Sequence, residues 1–201
     1  MSGYPREELE EMMRRWLAAN ARAEAEGDWK RHLGPMYTDD AEYRWNVGPN
    51  EAFEAIGKAQ ILDWALGEQM QGFETWRYPY GKVLIDETQG EIVAFWKQIA
   101  PAKRADGSDY EVAGVGGSHF RYAGDYKWSW QLDFFDFGNV MALFMELAAD
   151  GKLEDTVKRK IQRVARGHGL AGHSKIRPGA DSLLRKLEGG LAMARIVLLG
   201  R

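Results

Sequence analysis

The fold turns on 110-YEVAGVGGSHFRYAGDYKWSWQLDFFDF-137. Two runs rich in aromatic and β-branched residues flank Gly124-Asp125, the pattern of an antiparallel hairpin. With a tight turn there, His119 lies opposite Trp130 and Arg121 opposite Trp128, and Leu132 and Phe134 continue that face. A preceding turn centred near Asp106 adds Phe95, Lys97 and Ile99. One face is thus tryptophan-rich and carries three basic groups, and it is expected to line a pocket. The other face bears Trp96, Gln98, Gly114, Gly116, Ser118, Phe120, Ser129, Gln131 and Asp133. Flatter and more polar, it is expected to pack on a second copy in a homodimer. A one-residue bulge would exchange the faces locally and turn Asp133 inward.

Working outward, strands are expected over about 78–86, 91–101, 109–123 and 126–137, with "ETQG", "KRADGSD" and "AGDY" as turns. Upstream, residues 6–26 repeat apolar side chains at three- and four-residue spacing, with Pro5 and Gly27 as boundaries, and predict a helix. A short helix over 28–37, a strand over 41–46 and a helix over 51–71 follow. After Gly138 the helical period returns through Ala148, then a basic helix spans 153–166. Helices ahead of a curved antiparallel sheet make an α+β fold, a cone with one open mouth and a C-terminal helical extension. The division is a domain over 1–150 and an extension over 151–201.

The 201 residues are 45% hydrophobic and 12% aromatic, with eight tryptophans, enough for one core and an aromatic pocket. Cysteine is absent, which excludes disulfides and thiolate metal sites. The four histidines are scattered, so no metal site is expected. "GHGLAGH" reads as a glycine-rich loop, and "GVGGSHF" lacks the lysine and helix of a phosphate loop. No signal peptide or membrane span is evident, and the sequence predicts a cytoplasmic protein. Residues 152–201 hold 12 Lys or Arg against 4 Asp or Glu, leaving the first 151 residues acidic. The simple reading is a solvated helix face, and the acidic body argues against nucleic acid.

"AEGDWKRHLGPMYTDDAEYRW" resembles the opening of nuclear transport factor 2-like domains, the SnoaL-like or ketosteroid-isomerase-like group, through Gly27-Asp28, Tyr37 and Asp39-Asp40-Ala41. The resemblance spans about residues 6–137 and implies the cone-like fold. Members include isomerases, hydrolases, cyclases, dehydratases and non-catalytic binders, so fold alone settles no activity. Trp45 stands at or next to the isomerases' general-base position, and Trp16 replaces the tyrosine of their first helix. Both departures argue against simple steroid isomerisation.

"GEIVAFWKQIA", "YEVAGVGGSHFRYAG" and "WSWQLDFFDFGN" also resemble cofactor-independent lyases that release formaldehyde from lignin-derived diarylpropanes and leave a stilbene. That resemblance implies a small aromatic substrate and no cofactor. It assigns His119 to proton transfer, Lys97 and Arg121 to holding a phenolate, and Tyr43 to a hydrogen-bond relay. Trp45, Trp96 or Trp128, Trp130 and Phe95 would be the walls, with Asp40, Tyr37 and Trp16 around the cavity. The alternatives are a dehydratase, isomerase or hydrolase acting on another polycyclic compound, and a non-catalytic binding domain. For His119 the competing reading is a core histidine satisfied by a carbonyl or carboxylate, for Lys97 and Arg121 snorkelling at the sheet rim, and for Asp40 a turn aspartate.

Overall fold

The computed structural model describes residues 3–177 and 183–199; the remainder of the 151–201 extension lies outside the described residues. Helix α1, Arg6–Glu26, follows Pro5 and carries Glu7 and Glu8 in its first turn, where the helix dipole favours negative charge. Leu9, Met12, Met13, Trp16, Ala19 and Ala23 form its buried stripe. Gly27 ends it at φ 67°, a left-handed conformation that glycine adopts without strain. Asp28 then accepts the Arg31 N–H and starts α2, Trp29–Leu33.

Strand β1, Tyr37–Asn46, turns at Gly48-Pro49-Asn50 into β2, Glu51–Ile56. The sequence predicts a helix over 51–71, and this is corrected. Phe53 and Ala55 are buried on alternate positions, which is strand periodicity, and Gly57 at φ 83° breaks the chain before helix begins. That helix, α3, starts at Lys58–Gln60 and runs on as a π-helical stretch, Ile61–Glu68. Strands β3 (Tyr80–Asp86), β4 (Glu91–Trp96), β7 (Gly116–Tyr122) and β8 (Trp128–Phe134) complete the main sheet with β9, His173–Lys175. The expected strands 91–101 and 109–123 are each interrupted. Their ends form a separate ribbon of β5, Ile99–Lys103, and β6, Asp109–Glu111, with Gly114 at φ 85° breaking the second.

The sheet order is β3-β4-β7-β8-β1-β2-β9. Neighbours are antiparallel except β1 and β8, which run parallel, so the sheet is mixed. Helix α1 lies against the concave face. Its Trp16 contacts Tyr37, Phe120 and Trp128 edge-on at centroid distances of 5.9, 5.1 and 6.1 Å. Helix α4 (Phe137–Ala149) is capped by the Asp136 side chain, and α5 (Asp155–Ala165) follows it. Val140, Leu143, Leu147 and Val157 join Trp76 and Tyr110 in a second, smaller core beside the β5–β6 ribbon. Helix α6, Leu183–Leu199, ends the described chain with Leu187, Leu191 and Met193 exposed.

The β7–β8 turn differs from the expected one. Asp125 and Tyr126, at φ 51° and 55°, are its central residues, which moves the register by two. His119 therefore pairs with Leu132, and Arg121 with Trp130. A shift by two keeps the faces, so His119, Arg121, Trp130, Leu132 and Phe134 do share one. A bulge around Ser129 sends Trp128 to the other, where it pairs with Tyr122. The glycines are required by close packing: a Cβ on Gly116 would lie 2.3 Å from the Trp96 ring, and one on Gly117 2.2 Å from the Phe134 ring.

Candidate active site

The concave face, α1, α4 and α5 line an open cavity of about 620 Å³. Which face lines it is the reverse of the sequence expectation. Ile92, Ala94, Trp96, Ser118, Phe120 and Gln131 are buried on the concave side. Tryptophan content does not distinguish the faces, because the buried side also carries large rings, Trp96, Phe120 and Trp128, which pack with Trp16 of α1 and the surrounding core.

His119, Arg121 and Lys97 consequently lie outside the cavity. His119 Nε2 contacts Glu91 Oε2 at 2.9 Å on the convex face, and Arg121 reaches the same carboxylate at 3.1 Å. Arg121 also lies over the Trp130 ring. Lys97 sits just beyond β4, paired with Glu111 at 2.5 Å and bonded to the Gly114 carbonyl. Phe95 and Trp130 are convex too, Phe95 against Phe134 and Trp130 against His119. Trp128 is fully buried in the core, and Asp40 is exposed in β1. Of the expected set, the cavity receives Tyr43, Trp45, Tyr37 and Trp16, together with Trp96.

The group at the cavity's polar end is Asp133, on β8. Its Oδ2 accepts from the Tyr43 hydroxyl at 2.5 Å, and its Oδ1 accepts from Ser118 Oγ at 2.6 Å and Gln131 Nε2 at 2.8 Å. Tyr37 donates to Gln131 Oε1 at 2.5 Å, and Trp96 Nε1 to Ser118 Oγ at 2.9 Å. Tyr80 accepts from Trp16 Nε1 at 3.1 Å and bonds Ser118 as well. The carboxyl is half-buried, reached through the cavity and surrounded by protein on its other sides. That desolvation raises its pKa above the usual aspartate range, against the opposing pull of its three donors. Burial likewise pushes the Tyr43 and Tyr37 hydroxyls well above the ordinary phenol value, so both remain donors. A carboxyl of raised pKa, oriented by three donors in an apolar hollow, is a candidate for proton transfer. Trp45, stacked on Phe53 at 3.6 Å, walls the neighbouring side.

The mouth is built by residues that the sequence reading left as a basic extension. Val157, Ile161, Val164 and Ala165 of α5, with Leu170, face the cavity. Lys158, Arg159, Arg163 and Arg166 are exposed, which accounts for the positive balance as a solvated face. Glu68 fastens this cover, accepting from Arg163 at 2.6 Å and from the Ala171 N–H at 2.9 Å. Glu68→Ala is expected to speed hydrogen exchange across α5 and residues 167–171 by roughly ten-fold or more, at little cost to the melting temperature. His173, read from sequence as part of a glycine-rich loop, also lines the cavity. Its Nδ1 meets Glu51 Oε1 at 2.7 Å and its Nε2 meets the Gln69 amide at 3.0 Å. Its spacing held no signal: Glu51 and His173 meet only because β9 adds to the edge of β2.

Among the described residues no group of three His, Asp or Glu is placed to hold a metal ion, and no helix is long and apolar enough to cross a membrane. No protein-family model matches the sequence, and no curated relative is found. Solved structures do match. PrhC from Penicillium brasilianum superposes at TM-score 0.52 with 14% identity, covering 72% of this chain and 92% of that one. Two proteins described as SnoaL-like polyketide cyclases match at TM-scores 0.51 and 0.50. The one from Shewanella putrefaciens, 13% identical, covers 68% of this chain and 86% of its own. The one from Shewanella denitrificans, 14% identical, covers 67% and 97%. The chain therefore has the fold that these SnoaL-like proteins share, with α5, Leu170 and His173 lining its cavity.

Proposed function

We propose that the protein is an acid–base enzyme that removes formaldehyde from a lignin-derived diarylpropane diol and leaves a stilbene. The observation that carries the reading is the half-buried, triply hydrogen-bonded carboxyl of Asp133 in an aromatic-walled cavity large enough for two phenyl rings. In this reading an ionised ring hydroxyl drives departure of the benzylic hydroxyl, which takes the Asp133 proton and leaves as water. The product is a quinone methide. The Asp133 carboxylate then accepts the terminal hydroxyl proton, the carbon–carbon bond breaks, formaldehyde leaves, and the bond's electrons restore the aromatic ring. One carboxyl serves both steps, and a raised pKa suits a group that must begin protonated. The sum is diol to stilbene, water and formaldehyde, with no redox change, so neither metal nor nucleotide enters the balance.

A second reading, cyclisation or isomerisation of a polycyclic ketone, is favoured by the likeness to proteins described as polyketide cyclases. A filled cone would have favoured a binding scaffold; the open cavity favours catalysis. Incubation of the purified protein with a diarylpropane diol separates the readings. Growth of stilbene fluorescence with equimolar formaldehyde supports the lyase, and an unchanged diol removes it. His119→Ala is expected to leave any such turnover within a few-fold of the parent, because the imidazole is spent on Glu91 outside the cavity. A hundred-fold loss would restore His119 to the mechanism.

A further inference from the structure

Lys160 is the cation of the cavity mouth, and the proposed chemistry at Asp133 does not use it. It stands on the inner side of α5 and lines the cavity with Phe73, Ile161 and Val164. Its ammonium donates to the Gln69 carbonyl at 2.7 Å and lies 5.2 Å from the Phe73 ring centroid. No carboxylate approaches it within ion-pair distance among the described residues, although Lys158 and Arg163 on the same helix each have one. The acids nearest to it are otherwise engaged. From α3, Glu68 holds Arg163 and the Ala171 N–H; from the following turn, Glu74 accepts the Gly72 N–H at 2.8 Å; from β9, His173 is paired with Glu51. A largely desolvated cation without a counter-ion is costly, and the most direct compensation is an anion delivered by the ligand.

We infer that Lys160 forms an oxyanion subsite at the mouth, which binds the phenolic hydroxyl of an aromatic ligand as the phenolate. The inference rests on the reading of an aromatic substrate and adds its orientation: the ionisable ring hydroxyl at α5, the reacting carbons toward Asp133. The phenol oxygen releases its proton to solvent as the ligand binds, and the phenolate pairs with the Lys160 ammonium in a site poor in water. Burial among apolar side chains lowers the Lys160 pKa to about 8, so both of its forms are accessible near neutrality.

The test uses the full chain and 4-nitrophenol, whose anion absorbs at longer wavelength than its acid. The wild type is expected to bind the anion about ten-fold more tightly than the acid. That preference should fade as pH rises through about 8, where Lys160 loses its charge. Lys160→Met should abolish the preference. Lys160→Arg should keep it and carry it to higher pH, which a merely structural lysine would not do. His119→Ala, on the convex face, should match the wild type. Nitrophenol bound as the acid, left unbound, or bound as the anion equally well by Lys160→Met would overturn the subsite. The diol assay is scored separately. An anion preference that follows residue 160 beside an inert diol removes the lyase and keeps the subsite. Normal turnover by Lys160→Met with nitrophenol bound as the acid does the reverse.

Discussion

Asp133→Asn is expected to lower turnover of the proposed diaryl diol by about 10²–10⁴-fold, the usual range for loss of a positioned general acid or base, with substrate binding expected to stay within a few-fold. The amide is sterically conservative. Its oxygen can accept from Ser118 and Gln131, and its NH₂ group can face the Tyr43 hydroxyl, which then becomes the acceptor. Steady-state kinetics therefore read the lost proton chemistry and not a collapsed site. The same variant is expected to melt at a higher temperature than the wild type at neutral pH. Burial raises the Asp133 pKa, so the folded state holds this proton more tightly than the unfolded state. Stability from this group is fullest at low pH and falls as pH rises through the folded pKa. Asparagine removes that loss, and its advantage should shrink on acidification. An equal melting temperature at neutral pH would mean that the carboxylate is not penalised where it sits. Undiminished turnover would take Asp133 out of the mechanism.

The largest effect on stability is expected from Trp16→Ala. The indole is 1% exposed, meets three aromatic rings edge-on, and donates to Tyr80. Truncation removes its transfer energy and leaves a void between α1 and the concave face that a curved sheet cannot close. The expected cost is about 3–5 kcal/mol. For a chain of this size that is roughly 10 °C or more in melting temperature. Trp16→Phe should recover most of the packing but not the Tyr80 bond, so it separates the two contributions. A loss below about 1 kcal/mol in Trp16→Ala would mean that the helix is not anchored by this ring.

The architecture was legible because its signals are local. The stripe of α1, its Gly27 exit and the hairpin runs specify elements without reference to anything distant. For His119, Arg121, Trp130, Leu132 and Phe134 the shared face was readable, since the turn error moved the β7–β8 register by two and preserved alternation, whereas Trp128 was misplaced by the bulge. What could not be read was which face is concave, a property set by what packs on it. Trp16 sits a hundred residues from the strands it fills against, and no periodicity within 110–137 records its presence. Two buried polar residues, Ser118 and Gln131, and the half-buried Asp133 look solvent-facing when taken one at a time. They become a site only because their hydrogen bonds close on one another and on Tyr43. The helix expected over 51–71 failed at Gly57, where the six strand residues Glu51–Ile56 precede a true helix. Lys160 and His173 escaped for a different reason: their segment folds onto the domain instead of trailing from it.

The division of labour between sheet and extension has a bearing on how this scaffold diversifies. The proposed proton chemistry is housed in β1, β7 and β8, whose side chains are interlocked by hydrogen bonds. The rim that meets an incoming molecule belongs to the last third of the chain, fastened by a few polar contacts. Selectivity can thus drift by rewriting α5 and its flanks while the reactive carboxyl stays put, and grafting a foreign rim onto residues 3–150 is a practical route to new aromatic substrates.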